Sequence, residues 1–95
     1  MDTDRLLDAG ERGVHLLFDT AEISEAFAQD AEDLREALAG REHEIRFAVQ
    51  HLESLPDVQE ARRYVVSLGP PVRHILVLLY FEMLDGRLRD QRVLH

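Results

Sequence analysis

The chain has 95 residues, 19 acidic and 11 basic side chains, and a formal net charge of −8. That length sets one domain, and the absence of cysteine excludes disulfides, thiolate metal sites and cysteine nucleophiles. Residues 1–60 carry 16 acids against 5 arginines, while residues 61–95 carry 3 acids against 6 arginines; the acidic front half repels phosphate backbones and argues against nucleic acid as a partner.

The chain opens Met1-Asp2-Thr3-Asp4, acidic where a signal peptide would be basic, so a cytoplasmic location is expected. A first helix is expected over Thr3 to Phe18, carrying Leu6, Leu7, Val14, Leu16, Leu17 and Phe18. Gly10 and Gly13 each cost it about 1 kcal/mol against alanine, which favours two short pieces. Asp19 and Glu22 then have capping-box spacing. Behind them Ile23, Phe27, Ala31, Leu34, Leu38, Ile45, Ala48, Leu52 and Leu55 recur in steps of three and four nearly in phase. This spacing predicts one long amphipathic helix up to Pro56, with Gly40 its weakest point. Its outward acids Glu25, Glu32, Asp33 and Glu36 form an expected docking face for a basic partner.

Asp57 and Glu60 repeat the capping spacing and open a helix over Val58 to Leu68, which Gly69 ends. Pro70-Pro71 then lead into Val72 to Leu84, interrupted only by Arg73, His74 and Glu82. The run is too short to cross a bilayer, which takes about 20 apolar residues. A hairpin over Ile75–Phe81 with a turn at Asp85-Gly86 is the competing reading, but the run is leucine-rich and residues 87–94 do not alternate. The helix is expected to end near Gly86, leaving 1–86 as the domain and 87–95 as a basic tail, mobile unless Val93-Leu94 docks. Every basic residue is arginine, and neither lysine nor asparagine occurs; both have AT-rich codons, so a GC-rich bacterial source is expected.

The fold class expected is therefore all-α: a small bundle of four to five helices with one long amphipathic helix and a hydrophobic C-terminal helix at its centre. A helix apolar on nearly every side must be covered on nearly every side. A chain this short is hard pressed to do so alone, so a homodimer or higher oligomer is expected. Its interface is expected to use Val72, Ile75, Leu76, Leu79, Tyr80 and Met83. Within the apolar helix, Glu82 is expected either at an exposed edge or, if buried, in an ion pair with a partner such as Arg62, Arg63 or Arg73, and His74 is expected at a core edge.

Chemical signatures are sparse. No two of the five histidines (15, 43, 51, 74 and 95) are three or four residues apart, and no glutamate stands three before any of them. Glu11 and His15 are the one acid–histidine pair four apart that falls within an expected helix. No preformed metal site and no cofactor is expected. There is no phosphate loop, no serine triad and no nucleophile elbow.

His43-Glu44-Ile45-Arg46 resembles the phospho-accepting H-box of histidine-kinase dimerisation domains. That resemblance implies a two-chain helical bundle in which His43 accepts phosphate and Glu44 assists proton transfer. It covers four residues and continues with Phe47-Ala48 where the family has Thr and Pro. No kinase domain is expected beside it, which leaves a relay. Arg46 and His51 have the Arg-x4-His spacing of the HEPN ribonucleases, whose Arg and His meet at a dimer interface; Phe47 stands where that family prefers a polar residue. The leading expectation is a non-catalytic adaptor, assembly factor or regulatory subunit that binds protein, with itself and a second protein as partners and no membrane or nucleic acid.

Overall fold

A computed structural model describes residues 2–93, with side chains through residue 90. It is all-helical, with six helices among the described residues: α1 (Thr3–Glu11), α2 (Thr20–Phe27), α3 (Ala31–Gly40), α4 (Glu42–Ser54), α5 (Val58–Ser67) and α6 (Pro70–Val93). None is long and apolar enough to cross a membrane.

The starts are set by local chemistry. Asp2 accepts from the Asp4 amide at the head of α1. At α2 the capping box forms in full: Asp19 accepts from the Glu22 amide at 2.7 Å, and Glu22 accepts from the Asp19 amide at 2.9 Å. Asp30 accepts from the Glu32 amide, and Asp57 from the Glu60 amide. Pro70 takes the first position of α6, where an amide would have no partner anyway.

The single long helix expected between Asp19 and Pro56 does not form; α2, α3 and α4 occupy its place. The first break is at Asp30, whose extended backbone (φ −67°, ψ 138°) lets its carboxylate cap α3. The second is at Arg41, φ −134°, after Gly40 closes α3. The reason is geometric. Thirty-seven residues of straight helix would run about 55 Å, whereas the longest extent of the molecule is 40 Å. Broken twice, the segment sends three helices back against α6. The in-phase stripe also misled in part: α3 buries none of its residues, and Leu38 is exposed.

The first helix likewise stops at Glu11. Gly13 takes a left-handed turn (φ 84°), and residues 12–19 cross the surface as a strap that plants Leu17 and Phe18 in the core. Helix α6 passes straight through Asp85-Gly86 to Val93, so the expected stop at Gly86 lies inside the helix. Arg87 holds it there, donating to the Asp4 carbonyl and Asp8 carboxylate and standing 3.3 Å from Glu11. Its hydrogen bond to Asp8 pushes the Arg87 guanidinium further up in pKa. The expected docking of Val93-Leu94 falls outside the described side chains.

The centre of the fold is α6, as expected, but its cover comes from its own chain. Val72, Ile75, Leu76, Val77, Tyr80 and Leu84 are buried among Leu6 and Leu7 of α1, Ala26 of α2, Ile45, Ala48 and Leu52 of α4, and Ala61 and Val65 of α5. Fully burying an aliphatic side chain contributes about 1.5–3 kcal/mol, so this one helix supplies a large part of the apolar driving force. Small residues do the close packing: Ala26 and Ala61 are wholly buried where their helices meet the core. Residues 75–81 are helical throughout, which removes the hairpin reading.

Candidate functional site

One opening of about 240 Å³ lies between α3 and the start of α6, beside His74, and two others gather the residues that the sequence singles out. The first is an apolar cleft of about 100 Å³ between α1 and α4, floored by α6. Leu6 of α1, Leu17 of the strap and Val49 of α4 form its walls, and Leu76, Leu79 and Met83 rise from its floor. Thr3 and Glu53 supply polar groups to the lining. Met83 is 48% exposed. Tyr80 closes the inner end. Its hydroxyl lies 2.8 Å from Nδ1 of His15, and its ring meets those of Phe18, Phe81 and His15 at centroid distances of 5.0–5.7 Å. Burial pushes the Tyr80 hydroxyl up in pKa.

The second is an open crevice of about 490 Å³ at the end of α4 and α5, lined by His43, Glu44 and Phe47 on one side and Tyr64, Leu68 and Gly69 on the other. Phe47 is 63% exposed. It stacks on His51 (5.9 Å, 7° between planes), and His51 packs against Tyr64 at 4.4 Å. Burial raises the Tyr64 hydroxyl as well.

These positions sort the sequence-derived candidates. Of the six residues assigned to a self-interface, Val72, Ile75, Leu76 and Tyr80 are buried inside one chain, which corrects the premise that a partner must cover them. Leu79 is half-buried and Met83 exposed, so these two present α6 at the surface. Four of the six, Leu76, Leu79, Tyr80 and Met83, meet in the apolar cleft.

His43, Glu44 and Arg46 are exposed on α4, and His51 is half-buried in its aromatic stack. Five residues of helix turn the chain through about 140° net, so Arg46 and His51 point to different sides of α4 and do not converge within one chain. Glu11 and His15 do not share a helix, because α1 ends at Glu11. No group of three metal-ligating side chains exists among the described residues.

Glu25, Glu32, Asp33 and Glu36 are all exposed, but they are not one uncommitted acidic face. Glu25 turns toward α6, with Oε1 3.3 Å from Nε2 of His74 and Oε2 3.9 Å from Arg73. Glu32 and Asp33 sit in the first turn of α3, where a negative charge offsets the helix dipole. His74 is buried, as a core-edge histidine should be, yet its Nε2 and Nε of Arg73 make no aligned hydrogen bond. Glu82 takes the exposed of its two expected placements and needs no internal partner.

Sequence reasoning missed three long-range links: His15–Tyr80, Glu25 with Arg73 and His74, and Arg87 with Asp8 and Glu11. The hydrogen bonds His15–Tyr80 and Arg87–Asp8 join residues 65 and 79 apart in the chain, and no local pattern encodes such pairs. Set against known protein families, characterised proteins and solved structures, the chain matches none.

Proposed function

We propose that this chain is a non-catalytic, cytoplasmic interaction module, an adaptor or regulatory subunit, that self-associates through the apolar cleft on α6. The carrying observation is the meeting of Leu76, Leu79, Tyr80 and Met83 in one apolar depression, with Met83 left 48% exposed. Interfaces draw most of their energy from a few side chains seated in such pockets, ringed by contacts that exclude water. A volume near 100 Å³ suits one or two inserted side chains and not a larger ligand. The net charge of −8 disfavours large contact areas between like copies, so a small apolar anchor is the economical way to join them.

Light scattering across a dilution series tests this. The wild type is expected to show a mass above the 10.9 kDa monomer that falls on dilution. Met83→Gln is expected to shift that fall to higher concentration, and Leu79→Asp to abolish association, both with unchanged circular dichroism at 222 nm (a standard helix signal). A wild-type monomer at every concentration, or variants that associate like wild type, would overturn the reading.

A second reading has one observation in its favour. His43 is exposed beside Glu44 at the mouth of the crevice, open to a donor domain. As a phosphotransfer site it would take an acid-labile label from phosphoramidate, and His43→Gln would not. No label on wild type ends that reading.

A further inference from the structure

We propose that the crevice between α4 and α5 receives an arginine side chain of a partner protein; the inference rests on the reading of the chain as an interaction module but uses a surface separate from the α6 cleft. Its first support is the exposed ring. Phe47 puts most of its surface in water, at the rim of the crevice it lines. Its ring lies parallel to His51, which is itself wedged against Tyr64. An exposed aromatic face beside an open crevice is a surface on which a planar cation can stack.

The second support is charge. Glu44 lines the same crevice, and among the described residues it forms no ion pair. Of the nearby arginines, Arg41 and Arg46 are turned elsewhere, and Arg73, behind the Leu68 wall, is committed to the Leu68 carbonyl and to Glu25. Arg41 donates to the Ala37 carbonyl on α3. Arg46, two residues from Glu44, lies about 160° around the helix. His43 is the remaining basic group in the lining. Gly69, with no side chain, leaves the floor open there.

The chemistry selects the guanidinium. It is planar, weakly hydrated, stacks on aromatic faces and bonds a carboxylate through two parallel N–H groups. An ammonium is a strongly hydrated point charge and gains less from the ring. A carboxylate or phosphate meets Glu44 and is repelled. An apolar side chain would strip water from Glu44 with nothing to replace it. The overall charge of −8 draws a basic partner toward this surface before contact.

The probe is the capped tripeptide Gly-Arg-Gly, titrated into the full-length 15N-labelled chain and followed by amide shifts. Saturable shifts are expected at Phe47, Tyr64, Leu68 and Gly69. The citrulline version, neutral but of the same shape, should bind at least about tenfold more weakly, and the lysine version several-fold more weakly. Phe47→Ala and Glu44→Gln should each weaken arginine binding about three- to tenfold, while leaving the concentration dependence of the mass unchanged. No saturable shift with peptide in the tens of millimolar would overturn the proposal. So would equal binding of citrulline, or shifts centred on Glu32, Asp33 and Glu36 instead. Because Leu79→Asp is expected to remove self-association and leave these shifts in place, the two proposals fail separately.

Discussion

Replacing Gly10 and Gly86 by alanine should move stability in opposite directions, although both glycines lie inside helices. Each substitution gains about 1 kcal/mol of helix propensity. At Gly86 a Cβ meets nothing within 4 Å, so the gain stands, worth about 4–8 °C in Tm for a chain of this size. At Gly10 the Cβ collides with the Tyr80 hydroxyl and crowds both methyls of Leu84, at 3.2 and 3.3 Å. The tyrosine cannot easily retreat, because Phe18, Phe81 and His15 surround its ring. Overpacking of this kind costs about 1–3 kcal/mol, and displacing the hydroxyl from His15 forfeits a hydrogen bond worth about 1 kcal/mol. After the propensity gain, Gly10→Ala should lose about 1–3 kcal/mol. Urea unfolding followed by circular dichroism measures both variants. The decisive control is Gly10→Ala made in a Tyr80→Phe background, where the colliding oxygen is gone and the added cost should shrink by more than half. If Gly10→Ala matches Gly86→Ala, or if removing the hydroxyl leaves its cost unchanged, the packing of α1 on α6 derived from the structure is wrong.

Alkaline pH should destabilise the fold through its tyrosines. Burial raises the Tyr80 and Tyr64 hydroxyls, so the neutral phenol is the form the folded state favours. Their contribution is complete below the unfolded value of about 10 and is lost as pH climbs through the raised folded values. Urea midpoints measured between about pH 9 and 11 should therefore fall, and Tyr80→Phe should reduce that fall without abolishing it, since Tyr64 remains; a wild-type midpoint flat over the range contradicts this. Glu25→Ala should cost about 1 kcal/mol or less, discounted because the carboxylate is half-exposed (49%). It takes away the acceptor that faces His74 and Arg73, so its cost should be smaller still when His74 is already leucine. Additive losses in that double-mutant cycle would show that Glu25 and His74 do not interact.

Local signals were legible in the sequence and distant ones were not. Asp19 with Glu22, Asp57 before Glu60, and Gly69-Pro70-Pro71 act within a few residues of themselves, and each marks a helix end in the structure. Asp30 is the same kind of signal. An apolar period runs through it and hides it, because periodicity weighs every apolar residue alike while the fold buries Ala26, Ile45 and Leu52 and leaves Leu38 in water. Asp85-Gly86 failed in the opposite sense. It looks like a stop, but Arg87 clamped to α1 and Leu88 packed against the core carry the helix on. The apolar cleft was half legible: Leu76, Leu79, Tyr80 and Met83 follow from steps of three and four on one helix. The walls from α1 and α4 depend on how distant segments pack.

The lengths of the helices explain why openings exist at all. At 1.5 Å per residue, the 24 residues of α6 run about 36 Å. Its covering helices have 8 to 13 residues, about 12–20 Å each, and none can shield a whole side of α6. Where two short helices end or diverge, the apolar surface beneath shows through. The cleft between α1 and α4 is such a gap, and the crevice beyond Leu68 is another, at the point where α5 stops and the chain turns into α6. Monomers can close such gaps with longer helices or bulkier strap residues, and here the first half of the strap carries exposed Val14 and a half-buried His15 instead. Straining the strap is therefore an informative perturbation: replacing Gly13, whose φ of 84° shapes the turn after α1, costs about 1–2 kcal/mol and should disturb the cleft, where Leu17 lies, before the crevice. If self-association and arginine binding respond together to that one change, the two openings are a single surface; if only self-association responds, they are independent, as their separate linings require.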